Sequence, residues 1–297
     1  MGETKLLNVP KIPAETGQAM ANAVNATIRE WKVDLVRAMR FDATSSNTSR
    51  ISGACTILKQ LLGPPLLYFA CRHHIMELVL ASAFCECMGY SSAPEAFLFQ
   101  CFCGHWTSIA PDKYEDAFSD EFVKLELTAV RDEVISFCKQ QVCDQQLRDD
   151  YKEFLTLTLI LLGSNIPSSE AKFRAPGPMH QARWMSKAIY SIKVWLFRSQ
   201  FKLMAKECNG LRDLNIFLVK TYLKFWFLVR VASTAARNNL QLLKQLDAYP
   251  QRNIGTAASR KMAGHLWYLS EDLILLSLFD QEVDSNTKPV LFPCNLK

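Results

Sequence analysis

The sequence predicts a chain of two structural classes, an α/β part followed by an all-α part. Two short apolar runs that end in polar residues predict buried strands at 33–42 and 66–70. Segments with a helical period separate these runs and follow them. From about residue 95 to residue 280 no stretch has the pattern of a strand, so the second half of the chain is predicted to be helical.

The first elements are an edge strand and a helix. Residues 6–13, L-L-N-V-P-K-I-P, predict a short edge strand limited by Pro10 and Pro13, because proline cannot donate to a sheet ladder. A helix over 16–31 follows, with Thr16 as its N-cap. One apolar face of this helix repeats at spacings of four, four and three residues: Met20, Val24, Ile28 and Trp31.

The next elements continue the alternation of strand and helix. After the strand at 33–42, an apolar stripe predicts a helix over 50–62, which Gly63, Pro64 and Pro65 end. The run 66–70 predicts a strand buried on both faces, and 75–88 predicts a nearly all-apolar, buried helix. Right-handed crossovers make the second and third strands parallel.

The helical half divides at loops rich in proline, glycine and serine, S-S-A-P-E after residue 90 and R-A-P-G-P after residue 173. The helical periods predict helices over 121–142, 151–162, 181–201, 211–231 and 238–249. A last helix over 267–279 has apolar residues that suit packing on the sheet, and the tail after it is predicted to be loose. The predicted divisions are 1–90, 91–264, 265–280 and 281–297.

Composition sets bounds on function. The 297 residues fit one large domain or two smaller ones, and a net charge of +5 permits a nucleic-acid partner without requiring one. Ten cysteines and no signal-peptide pattern predict an intracellular, reducing compartment rather than secretion. No run of about 18 apolar residues is present, so no transmembrane helix or membrane partner is predicted.

Asp42 is the strongest candidate for a catalytic or metal-binding side chain. It ends the second predicted strand, and the cluster A-T-S-S-N follows it at once. In open α/β sheets ligands bind beyond the carboxyl ends of the strands, where Asp42 and residues 71–74 would both lie. A carboxylate there suits Mg²⁺ or Mn²⁺, because hard cations prefer oxygen ligands. The alternative is that Asp42 caps the following turn through its side chain.

The pair Cys71 and His74 has the spacing of half a zinc site, but such sites need about four ligands. Further cysteines and a histidine lie downstream in atypical spacings: Cys85, Cys87, Cys101, Cys103 and His105. A zinc-stabilised helical scaffold is therefore one hypothesis. Plain burial is the favoured interpretation and zinc is not expected, because free cysteine is among the most buried residue types.

Arg183 and Trp184 open a helix that is predicted to be amphipathic. Its basic residues are Lys187, Lys193 and Arg198. Its apolar stripe consists of Trp184, Ala188, Ile192 and Trp195. One interpretation puts both tryptophans in the core, and the other makes the helix a phosphate contact with a stacking platform for an unpaired base.

Together these segments resemble the hAT-type DNA transposases. The matching motifs are F-D-A-T-S-S-N at 41–47, A-C-R-H-H-I-M-E-L-V-L at 70–80 and A-R-W-M-S-K-A-I-Y at 182–190. The resemblance implies an incomplete ribonuclease-H-like α/β sheet with a large helical insertion. It makes Asp42 the second of three catalytic acids, puts Cys71 and His74 in the family's Cys-x-x-His motif, and assigns Arg183 and Trp184 to DNA binding.

The resemblance also implies an activity, metal-dependent DNA cleavage and strand transfer at transposon ends in the nucleus, with a homo-oligomer as a further expectation. Asp42 and Glu271 would hold Mg²⁺ or Mn²⁺, with Asp272 as the competing third acid. The family's first acid lies on an earlier strand, and neither Glu3, Glu15 nor Asp34 stands in that setting. The expectation is therefore a truncated transposase domain that is inactive alone. The alternative is a non-enzymatic remnant that binds DNA or protein.

Overall fold

The protein is mostly helical, with one small parallel sheet. The computed structural model describes residues 5–63, 66–89, 97–143, 148–165, 173–176, 186–264 and 274–291. These residues form two compact units. The first unit comprises the described residues up to Ile75, Ala232–Arg237 and 274–291, and the second comprises those within Met76–Val231 and Asn238–Gly264.

The sheet lies in the first unit. In chain order its elements are α1 (Gly17–Glu30), β1 (Ala38–Phe41), α2 (Ser45–Thr48), α3 (Ala54–Leu62) and β2 (Leu67–Ala70), and the helix α4 (Arg72–Met88) follows. The strands β1 and β2 pair in parallel, with Ala38 opposite Leu67 and Phe41 opposite Ala70. The predicted parallel crossover is therefore confirmed.

The core of the first unit lies between α1, α3 and one face of β1. Its buried centre is Ala21, Ala54 and Leu58, and Met39 of β1 packs against it. Thr16 caps α1 as predicted, since its hydroxyl oxygen accepts a hydrogen bond from the amide of Ala19. Small residues on α1 let its backbone approach the start of α3 closely, so the buried positions are the small ones.

Five predictions for this unit are wrong. Residues 6–13 form no strand, and the strand predicted over 33–42 is limited to 38–41. The helix predicted from residue 50 begins at Ala54, which leaves Ile51 89% exposed. The strand expected to be buried on both faces exposes Leu67 to 39%. On α1 two residues of the predicted apolar face, Val24 and Trp31, are 43% and 47% exposed.

The second unit is built from helices. The α-helices described after α4 are α5 (Phe97–His105), α6 (Glu121–Leu127), α7 (Arg131–Val142), α8 (Asp149–Leu161), α9 (Ser191–Leu196), α10 (Ala205–Phe217), α11 (Leu223–Leu228), α12 (Ala235–Asp247) and α13 (Arg252–Ala263). π-helical turns at Ser186–Tyr190 and Leu218–Tyr222 lead into α9 and join α10 to α11. The prediction of a strand-free second half holds for the part of it that the structure describes.

Large aromatic side chains form the core of the second unit. The largest fully buried ones include Trp195, Trp226, Tyr190, Tyr222 and Phe154. Neither α5 nor α13 is predicted from the sequence, because α5 lacks a polar face and the buried stripe of α13 is narrow, with Ile254 and Met262 as its only large apolar residues. Among the described helices, none is both long and apolar enough to cross a membrane.

Candidate functional site at the sheet edge

Asp42 lies at the carboxyl edge of the sheet, directly after β1. The pairing continues one step beyond the strands, because the amide of Cys71 donates a hydrogen bond of 2.6 Å to the carbonyl oxygen of Phe41. In this register Asp42 comes opposite Cys71. The sequence-based prediction that Asp42 and the segment 71–74 lie at one sheet edge is therefore confirmed.

A short loop fixes one oxygen of the Asp42 carboxylate. Its Oδ1 accepts hydrogen bonds from the Thr44 amide at 3.0 Å, the Thr44 hydroxyl at 2.6 Å and the Asn47 side-chain amide at 2.8 Å. The turn-capping interpretation of Asp42 thus describes its local structure correctly. Its Oδ2 accepts no hydrogen bond from the residues that the structure describes.

The surroundings of Asp42 favour the ionised carboxylate. Partial burial raises the pKa of Asp42, but hydrogen bonds from Thr44 and Asn47 and the charge of His74 together outweigh it. The net result is a pKa below the ordinary value for aspartate. The side chain is therefore an anion at neutral pH, as a cation ligand requires.

Thr44 and Asn47 are the residues that sequence analysis missed at this edge. They follow Asp42 by two and five residues, and the hydrogen bond from the Thr44 amide is typical of a turn that an aspartate caps. The polar cluster after the strand carries this signal, because threonine and asparagine shortly after an aspartate suit a turn that the aspartate side chain caps. Their function here is to fix the orientation of the carboxylate.

Cys71 and His74 flank the start of α4, and both are half-buried. The guanidinium of Arg40 contacts the Cys71 sulfur, with Nη2 at 3.7 Å from Sγ. Burial, together with the charge of Arg40, lowers the pKa of Arg72 to about 10. The edge thus combines one carboxylate with several cationic or titratable groups.

Metal ligands do not converge among the described residues. Within 5–63, 66–89, 97–143 and the other described ranges, no group of three or more Cys, His, Asp or Glu side chains is placed to share an ion. All five members of the hypothetical zinc scaffold lie within these ranges. Burial raises the pKa of Cys87 to about 12 and also raises that of Cys103, so both stay protonated thiols at neutral pH.

Several predicted site residues lie outside the described residues, and these are Arg183, Trp184, Glu271 and Asp272. The helix that continues from Arg183 and Trp184 is described from residue 186. Its Ala188, Ile192 and Trp195 are fully buried, which confirms the core interpretation for Trp195. The prediction of an amphipathic helix is wrong, because the residues from Lys187 to Phe197 are all buried.

The phosphate-contact interpretation is also wrong for Lys193 and Arg198, because both bind groups within the protein. Lys193 has no exposed side-chain surface and its Nζ lies 2.5 Å from Oε1 of Glu153. Arg198 forms an ion pair with Glu115, with 2.9 Å between Nη2 and Oε2, and its Nη1 donates to the carbonyl oxygen of Trp195 at 2.8 Å. Neither cation is available to a nucleic acid.

Comparison with known proteins adds no assignment to this geometry. No protein-family model, no curated protein and no solved structure matches the chain.

Proposed function

We propose that this chain derives from a DNA transposase of the hAT type, with a ribonuclease-H-like sheet that carries Asp42 as a metal-binding acid. The observation that supports this most strongly is the parallel pairing of β1 and β2, which brings Asp42 opposite Cys71 at one sheet edge. Two of the motifs behind the resemblance, separated by a crossover in the sequence, thus meet in space. The third, at Arg183 and Trp184, is proposed to contact DNA at transposon ends.

Asp42 fits the position of a ligand to Mg²⁺ or Mn²⁺. Its Oδ1 is oriented by Thr44 and Asn47, and its Oδ2 is open among the described residues. In the proposed complete site Glu271 supplies a further carboxylate. Two such ions, when bound, activate and orient the oxygen atoms of a phosphodiester displacement.

We propose further that the chain alone does not cleave DNA. The resemblance requires an additional acid on a strand that precedes the one ending at Asp42. Residues 5–37 as described contain α1 and no strand. A nuclear DNA-binding role with the possibility of self-association is therefore the proposed activity of this chain on its own.

Manganese titration tests the metal-binding role of Asp42. Mn²⁺ is expected to broaden the amide NMR signals of Thr44 and Cys71 by paramagnetic relaxation. The Asp42→Asn variant should abolish this broadening, because an amide keeps the acceptor that the turn needs but loses the charge that a hard cation prefers.

Asp284 offers a matched control. It is exposed and caps a turn in the same way, since its carboxylate accepts hydrogen bonds from the amides of Asn286 and Thr287. The Asp284→Asn variant should leave the broadening at Thr44 unchanged. Equal broadening at Asn286 and Thr44 in the unmodified protein would mean that Asp42 is only a turn cap.

Incubation with DNA tests the second part of the proposal. The purified chain with Mg²⁺ or Mn²⁺ is expected to leave supercoiled plasmid intact on an agarose gel, because Asp42 and Glu271 are two of the three acids that the resemblance requires to hold two metal ions. Cleavage that the Asp42→Asn variant lacks would contradict this expectation. Cleavage of equal extent in both proteins would identify a contaminating nuclease.

The alternative function is a non-enzymatic remnant that binds DNA or protein. The specific observation in its favour is an open strand edge in the first unit. That edge suits a protein partner, as argued next.

A further inference from the structure

Among the residues that the structure describes, no strand lies beside one edge of β1. Its other edge pairs with β2, where Leu67 donates to the carbonyl of Arg37 and Cys71 donates to that of Phe41. Because backbone groups alternate in direction along a parallel ladder, the N–H and C=O groups of Ala38 and Arg40 point away from β2. Among the described residues, none forms a hydrogen bond with these four groups. Such an edge is a template for another strand.

An apolar groove of about 520 Å³ runs along this strand. The side chains that form it come from the segment before α1, from α1, from residues 33–41, from Asn47 of α2 and from α3. They include Leu7, Met20, Val24, Ile28, Leu35 and Leu58. Val24 is 43% exposed, and Leu35 is more exposed still. The groove therefore leaves an unusual amount of apolar surface open beside unpaired backbone groups.

Charge limits what can occupy the groove. Its lining contains two arginines, Arg37 and Arg40, and no acidic residue. A second copy of β1 paired across a twofold axis would bring like charges together on adjacent strands, which is destabilising. A strand with acidic side chains would instead form cross-strand pairs with the exposed guanidinium of Arg37.

We propose that β1 and this groove bind an extended segment of another protein by strand addition. The segment has apolar side chains at alternate positions, which enter the groove, and acidic side chains that face Arg37. The backbone groups of Ala38 and Arg40 supply the hydrogen bonds, and the groove selects the side chains. This inference does not depend on DNA or metal binding. Its test can therefore fail while the test of the proposed function succeeds, and the reverse.

Peptide binding tests the inference directly. The probe is a fluorescent peptide of about eight residues, the length of a long strand, with alternating valine and glutamate. Fluorescence anisotropy should show saturable binding to the full chain, and NMR should show downfield shifts of the amide protons of Ala38 and Arg40. The same peptide with N-methylated amides on alternate residues should not bind, because it cannot pair with the strand edge.

Variants distinguish binding in the groove from non-specific binding of the peptide to the protein surface. Val24→Asp and Leu35→Asp should each weaken binding about tenfold or more, because they place a charge in an apolar groove. Both positions are exposed, so the fold should persist, as circular dichroism would check. The matched control is Ile51→Asp, an exposed apolar residue of the same unit outside this groove, which should not change the affinity. Arg37→Glu should weaken binding of the glutamate peptide and strengthen binding of a lysine analogue.

Three results would overturn the inference. The first is equal binding of the N-methylated peptide, which would exclude strand pairing. The second is an affinity that neither Val24→Asp nor Leu35→Asp reduces, which would place the peptide elsewhere. The third is a dimer in analytical ultracentrifugation that either variant dissociates, which would mean that a second copy of the chain occupies the groove.

Discussion

Replacing Lys193 with methionine is expected to destabilise the second unit by about 3–5 kcal/mol, the range found when one partner of a buried ion pair is removed. The side chains of Lys193 and Glu153 are 0% and 5% exposed. Lys193 also donates a hydrogen bond of 2.7 Å to the carbonyl oxygen of Arg174. Without Lys193, the Glu153 carboxylate stays buried with no cation beside it.

Urea unfolding followed by tryptophan fluorescence would measure this loss. Burial lowers the pKa of Lys193, and the charge and the hydrogen bond of the nearby Glu153 oppose that shift. The double variant Lys193→Met with Glu153→Leu should recover most of the lost stability, because it removes both buried charges. A double variant as unstable as the single one would show that shape, rather than charge, is the cause.

The control is a lysine in a similar ion pair at the surface. Lys224 lies 2.8 Å from Glu133, but both side chains are well exposed. Lys224→Met should cost less than about 1 kcal/mol, as exposed ion pairs usually do. If Lys193→Met cost no more than Lys224→Met, the buried pair would contribute no more than a surface one.

Replacing Gly17 with alanine is expected to destabilise the first unit by about 3 kcal/mol, at the upper end of the cost of overpacking. A methyl group on Gly17 would overlap the carbonyl oxygen of Ser52 and come within 2.7 Å of the Ala54 nitrogen and the Ser46 carbonyl oxygen. These are backbone atoms, so rotation of a side chain cannot relieve the contact. The whole segment between α2 and α3 would have to shift, and α2 holds the Asn47 that supports Asp42.

Thermal unfolding and the NMR signals of Thr44 would report this shift together. Gly104 provides the comparison, because it lies inside α5 and a methyl group there would meet no atom within 4 Å. Gly104→Ala should be neutral or stabilise the protein by up to about 1 kcal/mol through helix propensity. A Gly17→Ala protein as stable as the Gly104→Ala protein would show that α1 can move away from α3 at no cost.

The parallel sheet edge could be predicted because its signal is local. An apolar run that stops at Asp42, and another that stops at Cys71, each locate the end of a strand, and handedness then makes the strands parallel. The absence of a strand at residues 6–13 could not be predicted in the same way. An edge strand forms only when a neighbour pairs with it, and the apolar composition of a segment does not identify that neighbour.

The errors on the helices have two physical causes. On α1 the close approach to α3 selects Gly17 and Ala21 for burial, so size mattered more than hydrophobicity. In the helix leading to α9, the predicted stripe of Ala188, Ile192 and Trp195 is buried, but so is every other residue from Lys187 to Phe197. The polar residues Ser191 and Lys193 are enclosed by the rest of the unit, and a polar residue in the sequence therefore does not mark an exposed face there. Glu153, the partner of Lys193, lies on a different helix, so no local sequence pattern predicts this ion pair.

The ion pair of Lys193 and Glu153 also constrains which substitutions this protein can accumulate during evolution. Loss of either residue alone removes several kcal/mol from a domain whose total stability is typically about 5–15 kcal/mol. Substitution of both residues together is therefore tolerated more readily than substitution of either one alone. We therefore expect distant relatives of this chain to have both charged residues or neither. A glutamate and a lysine found together at these positions of α8 and α9 would indicate common ancestry even where the overall sequence identity is low.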